Sequence, residues 1–250
     1  VRWYTSYIAY YVHNINKYYN DALIIIVDNE STYQEDVFAQ FRSVGNVVIL
    51  VNTTEHKFEA GAYLLGINFI LDNKLEDKYN YFVFTQDTYI LKNPYDFNEL
   101  LSHDIKACPL SFGDGIQDFS IQTIKPMLIS MNLWSEHTKV NKVSLRYFNV
   151  NIQNKILQCF CNSFIIHNSK IIDLHSCLSS IKITSRLDSE ICERVFAWML
   201  YKLNNDKNYQ IDINPYTKYS SFTVNPFNNF KHGYFVKKMQ HKTEHTKDDI

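Results

Sequence analysis

Three short apolar runs, set apart by helical stretches, restrict what this chain can fold into more than any other feature. Leu23-Ile24-Ile25-Ile26-Val27, Val47-Val48-Ile49-Leu50-Val51 and Tyr81-Phe82-Val83-Phe84-Thr85 are too short for helices and rich in β-branched or aromatic side chains. A continuous apolar run, without alternation, marks a strand buried on both faces. One helix is expected between the first two runs, ending about Gly45. A longer one is expected between the second and third, with Phe58, Ala62, Leu65 and Phe69 on one face. This order predicts right-handed crossovers and an α/β fold, Rossmann-like, with a mostly parallel central sheet flanked by helices. Gly61 and Gly66 inside the longer helix each cost about 1 kcal/mol relative to Ala. Close approach of a strand or a ligand is the expected reason for them.

The rest of the chain is less regular. Ile8, Tyr11, Val12, Ile15 and Tyr18 recur at helical spacing, so an amphipathic helix opens the sequence. Ser31 or Thr32 is placed to cap the helix after the first strand. Strands are expected around 104–109 and 162–167, a strand-like segment at Ile181-Lys182-Ile183-Thr184, and a helix over Leu187 to Leu203. Residues 112–155 have mixed periodicity. After Asn204 the chain turns polar and ends rich in His and Lys. No repeat or linker interrupts residues 1–250, which reads as one domain.

Composition excludes several function classes. With 46% hydrophobic and 20% charged residues and a net charge of −1, the chain has material for a core and no basic excess for nucleic acid. No apolar run approaches the roughly 18 residues of a membrane span. Cys108, Cys159, Cys161, Cys177 and Cys192 are odd in number and scattered, which suits reduced thiols in a cytoplasmic compartment. Cys159 and Cys161 with His167 and His175 lack the spacing of zinc fingers, so buried thiols are the expected reading. Heavy use of Asn, Ile, Lys and Tyr fits an AT-rich coding genome such as that of a large DNA virus. There is no G-x-G-x-x-G, P-loop or G-x-S-x-G stretch, and only six glycines in all.

Ligands of open α/β sheets bind beyond the carboxyl ends of the strands. Two such ends are acidic here, Asp28 and Asp87. Ile25-Ile26-Val27-Asp28-Asn29-Glu30-Ser31-Thr32 resembles the strand-end turn of nucleotide-sugar-dependent glycosyltransferases of the GT-A fold. Glu59-Ala60-Gly61-Ala62-Tyr63 resembles their Gly- and Ala-bearing helix. Tyr81-Phe82-Val83-Phe84-Thr85-Gln86-Asp87-Thr88 resembles the strand that ends in Asp-x-Asp, with Thr85 standing where the first Asp would be.

The resemblance implies a nucleotide-binding half over about 1–110 and an acceptor-side half over about 111–250. It implies that Asp28 recognises a nucleobase, with Asn29, Gly61 and Gln86 beside the nucleotide. Asp87 would be the carboxylate on Mn²⁺ or Mg²⁺. A late histidine would be a second metal ligand: His232, with His241 and His245 as competitors. Lys237 would offset leaving-phosphate charge. The general base of an inverting reaction would be Glu190, Asp188 or Glu193 in Leu187-Asp188-Ser189-Glu190-Ile191-Cys192-Glu193. Asp188 as N-cap and the glutamates as dipole partners fit those residues as well. Trp198 would line the acceptor cleft or pack. The expected partners are a UDP-sugar donor and a carbohydrate acceptor. The alternative is a GT-A-like domain that binds a glycan or partner and catalyses nothing.

Overall fold

The structure is a computed structural model and describes residues 5–30, 38–86, 89–91, 93–110, 112–113, 121–134, 158–159, 162–205 and 235–237. In chain order the elements are α1 (Thr5–Tyr18), β1 (Ile24–Asp28), β2 (Val47–Val51), α2 (Phe58–Asp72), β3 (Tyr81–Phe84) and β4 (Tyr89–Leu91). There follow α3 (Asn98–Ser102), β5 (Ala107–Pro109), β6 (Phe112–Gly113), α4 (Ile121–Ser130) and β7 (Gln158–Cys159). The last are β8 (Phe164–His167), α5 (Ile171–Ser179), α6 (Arg186–Leu203) and β9 (Phe235–Lys237). The chain is therefore mixed α/β. Contacts divide it into two compact units, one of Val1–Ile24, Asp87–Tyr95 and Asp212–Ile250, the other of Ile25–Gln86 and Asp96–Ile211.

In the first unit, α1 buries Ile8 and Val12 on the face their spacing predicted. The buried Asn14 donates through Nδ2 to the carbonyl of Leu91 on β4 at 2.6 Å. The Tyr19 hydroxyl donates to the Tyr95 carbonyl at 2.9 Å and accepts from the Tyr95 N–H at 2.5 Å. β9 runs antiparallel to β4, with Tyr89 opposite Lys237.

The second unit holds the larger core. β1 and β2 form a two-stranded parallel sheet. Their apolar residues were expected to be buried on both faces, but of the pair's ten residues only Asp28 is buried. β3, β8 and β5 form a separate sheet in that order, and β8 is antiparallel to both neighbours. Among the described residues the parallel pairing is thus confined to β1 and β2. Parallel order was inferred from the helices between the runs, and that inference cannot see a strand arriving from much later in the chain.

Packing explains β8's central place. Phe164, Ile165 and Ile166 are each fully buried. The Phe164 ring stacks on Phe84 with centroids 4.8 Å apart, and meets Tyr63 at 5.6 Å and Phe196 at 5.9 Å edge-on. Such pairs are worth about 0.5–1.5 kcal/mol each beyond their buried area. α2 presents Ala60, Tyr63, Ile67 and Ile70 to this core; of the expected face, Phe58 packs against it and Ala62 is buried, whereas Leu65 and Phe69 are only half-buried. That helix is apolar nearly all round, so periodicity alone does not single out a face.

Two local differences have clear causes. Residues 121–130 are helical although Pro126 interrupts the pattern, and the sequence was read there as mixed. Ile181–Thr184 pairs with no strand among the described residues, and runs instead along the segment before α2. The Lys57 N–H donates to the Ile183 carbonyl at 2.9 Å, and the Ile183 N–H to Nδ1 of His56 at 3.0 Å. At the other end of α6, the buried Asn204 accepts the Lys106 N–H at 2.6 Å and so anchors the start of β5.

Candidate functional site

β1, β2 and the start of α2 meet at a corner built from asparagines. The Asn52 N–H donates to the Asp28 carbonyl at 2.7 Å, extending the pairing one step past the strand ends. Asn52 is 1% exposed. Its Nδ2 donates to Asn29 Oδ1 at 2.7 Å and to the His56 carbonyl at 2.8 Å. Its Oδ1 accepts from the Thr54 hydroxyl at 2.7 Å. Asn29 completes the loop by donating to the Phe58 carbonyl at 3.1 Å. Phe58 sits at φ 57°, the left-handed region that a bulky residue enters only when its surroundings force it. Burial holds the His56 imidazole below its ordinary pKa, and its Nδ1 accepts from the Ile183 N–H.

Gly61 belongs to this corner. A Cβ there would lie 1.8 Å from the His56 carbonyl oxygen. The close approach expected of Gly61 is therefore made by the chain itself. At Gly66 a Cβ would stand 3.7 Å from Val27 on β1, an ordinary contact.

Beside the corner lies a carboxylate to which the sequence reading gave no role. Glu59, in the first turn of α2, accepts from Gln86 Nε2 at 2.5 Å and from the Ser189 hydroxyl at 2.7 Å. Gln86 follows the end of β3 and Ser189 lies in the first turns of α6. One side chain thus joins the carboxyl end of β3, the start of α2 and the acidic start of α6. An acid opening the helix after β2, two residues before a required glycine, was the available signal. Asn52 had the same kind of signal, since it directly follows the second apolar run.

The three acids of α6 have different occupations. The N-cap is Ser185, three residues before Asp188, and the two form a capping box: the Ser185 hydroxyl accepts the Asp188 N–H at 3.1 Å, and Asp188 Oδ2 accepts the Ser185 N–H at 3.0 Å. Burial alone would raise the Asp188 carboxyl, but hydrogen bonds from Ser185 and Thr184 outweigh it and hold it below the usual range. Glu193 stands 3.5 Å from the guanidinium of the buried Arg194. Glu190 pairs with Arg186 at 3.1 Å through Oε1, and its Oε2 has no hydrogen-bond partner among the described residues.

The capping role carries a test. Asp188→Ala is expected to lower stability by about 0.3–1.5 kcal/mol at neutral pH. A depressed carboxyl contributes stability above its unfolded pKa of about 3.9 and loses it as pH falls through the lower folded value. The gap between parent and variant in urea denaturation should therefore hold from pH 7 to about 5 and narrow below about pH 4. A gap unchanged at pH 3 would contradict the assignment.

The remaining expected site residues are placed as follows. Asp28 is fully buried and Asn29 half-buried, both holding the corner in shape. Lys237 lies on β9, in the first unit. Asp87, His232, His241 and His245 lie outside the described residues, as do Ser31, Thr32 and Cys161. No three His, Cys, Asp or Glu side chains gather as a metal-binding set among the described residues, so a metal here rests on the sequence resemblance. Cys108, Cys159, Cys177 and Cys192 are buried thiols, and burial pushes Cys177 up to about 11. Trp198 packs, 7% exposed, with Nε1 donating to the Leu133 carbonyl at 3.3 Å. No described helix is long and apolar enough to cross a membrane. The chain matches no family model, no curated protein and no solved structure.

Proposed function

We propose that the chain is a glycosyltransferase of GT-A type, moving a sugar from a nucleoside diphosphate, UDP favoured, to a carbohydrate hydroxyl with inversion. The observation that carries this reading is the Gln86–Glu59–Ser189 chain of hydrogen bonds. It brings the end of β3, where a donor would sit, against the helix start that holds the candidate base. Glu190 accepts the proton of the acceptor hydroxyl as that oxygen attacks the anomeric carbon, and the bond from that carbon to the diphosphate breaks on the opposite face. Asp28 and Asn29 shape the corner at which the base is read. Asp87, next in sequence after Gln86, is the assigned metal carboxylate, with His232 as second ligand. A divalent cation there supplies neutralisation of diphosphate charge. Lys237 is assigned to the same charge.

Thermal unfolding with UDP or GDP, with and without Mn²⁺, tests the reading. A ligand at 100 times its Kd adds about 2.7 kcal/mol. UDP with Mn²⁺ is expected to stabilise the parent, and Asp87→Asn to remove the manganese-dependent part. Thr85 in place of an acid favours a second reading, a GT-A-like domain that binds a glycan or partner and catalyses nothing. No shift with any nucleotide would favour it over transfer.

A further inference from the structure

We infer that Glu59, Ser189 and Asn162 form a subsite for ring hydroxyls of the transferred sugar. The inference rests on the donor-site reading above and deepens it.

Asn162 supplies the independent observation. It is 2% exposed and sits at φ 53°, just before β8. Its Nδ2 donates to the Ser189 carbonyl at 3.3 Å, which fixes the orientation of the amide. The other end, Oδ1, is buried with no hydrogen-bond partner among the described residues. An unmet buried acceptor is destabilising, and native folds retain few without a reason. Ser189 is also the residue whose hydroxyl donates to Glu59, so the unmet acceptor and the carboxylate flank the same turn of α6.

The chemistry of the group identifies its ligand. Glu59 is half-buried, and each of its oxygens accepts one bond from a neutral donor. It makes no ion pair among the described residues. Each carboxylate oxygen retains acceptor capacity, as does Oδ1 of Asn162. A group of acceptors with one negative charge repels phosphate and offers too few anionic oxygens for a stripped divalent cation. Hydroxyl groups fit it, and a pyranose ring presents several in one rigid unit. A site built to bond hydroxyls discriminates strongly, because losing one leaves its buried acceptor unpaired.

Isothermal titration with Mn²⁺ present compares UDP, UDP-glucose and UDP-galactose on the parent, Glu59→Gln and Asn162→Gly. Glycine tolerates the left-handed backbone at 162. The parent is expected to bind at least one sugar-bearing donor about tenfold more tightly than UDP, a difference of about 1.4 kcal/mol. Each variant should lose most of that gain, read as the ratio of sugar-donor to UDP affinity, with Asn162→Gly binding UDP like the parent. Three results would overturn the inference and leave the donor site standing. They are a parent with no preference for either sugar donor over UDP, variants that keep the parent's ratio, or variants that weaken UDP as much as the sugar donors. Loss of Mn²⁺ binding in Glu59→Gln without nucleotide would make Glu59 a metal ligand and overturn it too. A parent that binds no nucleotide overturns the donor-site reading and this inference with it.

Discussion

Glu190→Gln is expected to slow turnover by about 10²–10⁴-fold with donor affinity unchanged. A base interacts with the acceptor proton mainly in the transition state, so its loss falls on kcat. The geometry orders the three acids of α6. Asp188 is held by the Ser185 cap and the Thr184 N–H, and Glu193 stands against buried Arg194, whereas Glu190 offers Oε2. Asp188→Asn should therefore cost stability more than turnover, and Glu193→Gln should affect turnover less than Glu190→Gln. If Asp188→Asn alone stops turnover, the base assignment moves to Asp188. If all three variants turn over normally and the product keeps the donor's anomeric configuration, inversion is refuted.

Gly61→Ala is expected to destabilise the protein by about 3 kcal/mol, the upper end of overpacking costs. The methyl would lie 1.8 Å from a backbone carbonyl, and that carbonyl is held by Asn52 Nδ2 at 2.8 Å. It cannot retreat without opening the corner that Asn29, Asn52 and Phe58 close. Gly66→Ala is the internal control. Its methyl meets only Val27 at 3.7 Å, so the helical preference for alanine dominates and stabilises by up to about 1 kcal/mol. Urea denaturation of the two variants should give opposite signs. Equal effects would mean that the His56 carbonyl is not the constraint.

Much of the secondary structure was legible because local pattern dictates it. β2 spans Val47–Val51 as read, and α6 begins one residue before the expected Leu187. The corner was legible in part, since Asp28, Asn29 and Gly61 were singled out and the structure brings them to one place. Sheet partnership was not legible. β8 lies between β3 and β5 because Phe164 stacks on Phe84, a contact between residues far apart in sequence that no periodicity records. Glu59 and Asn162 were given no role for the same reason. Glu59 was quoted only as the first residue of a glycine- and alanine-bearing stretch and Asn162 belongs to no motif; each acquires meaning only through Ser189, which reaches both from another element.

The first unit has an unusual schedule of birth. It is drawn from segments at both ends of the chain and a short piece between them. Asn14 on α1 meets its partner Leu91 only after 77 further residues have been made, roughly 4 to 15 s at ordinary translation speeds. β9 comes later still, and until then β4 has an unpaired edge, the kind of edge that recruits foreign strands. The second unit holds all its pieces by residue 211 and can form while the ribosome is still at work. A nascent chain stalled before β9 would therefore hold every segment of the second unit while β4 in the first still lacked its partner strand.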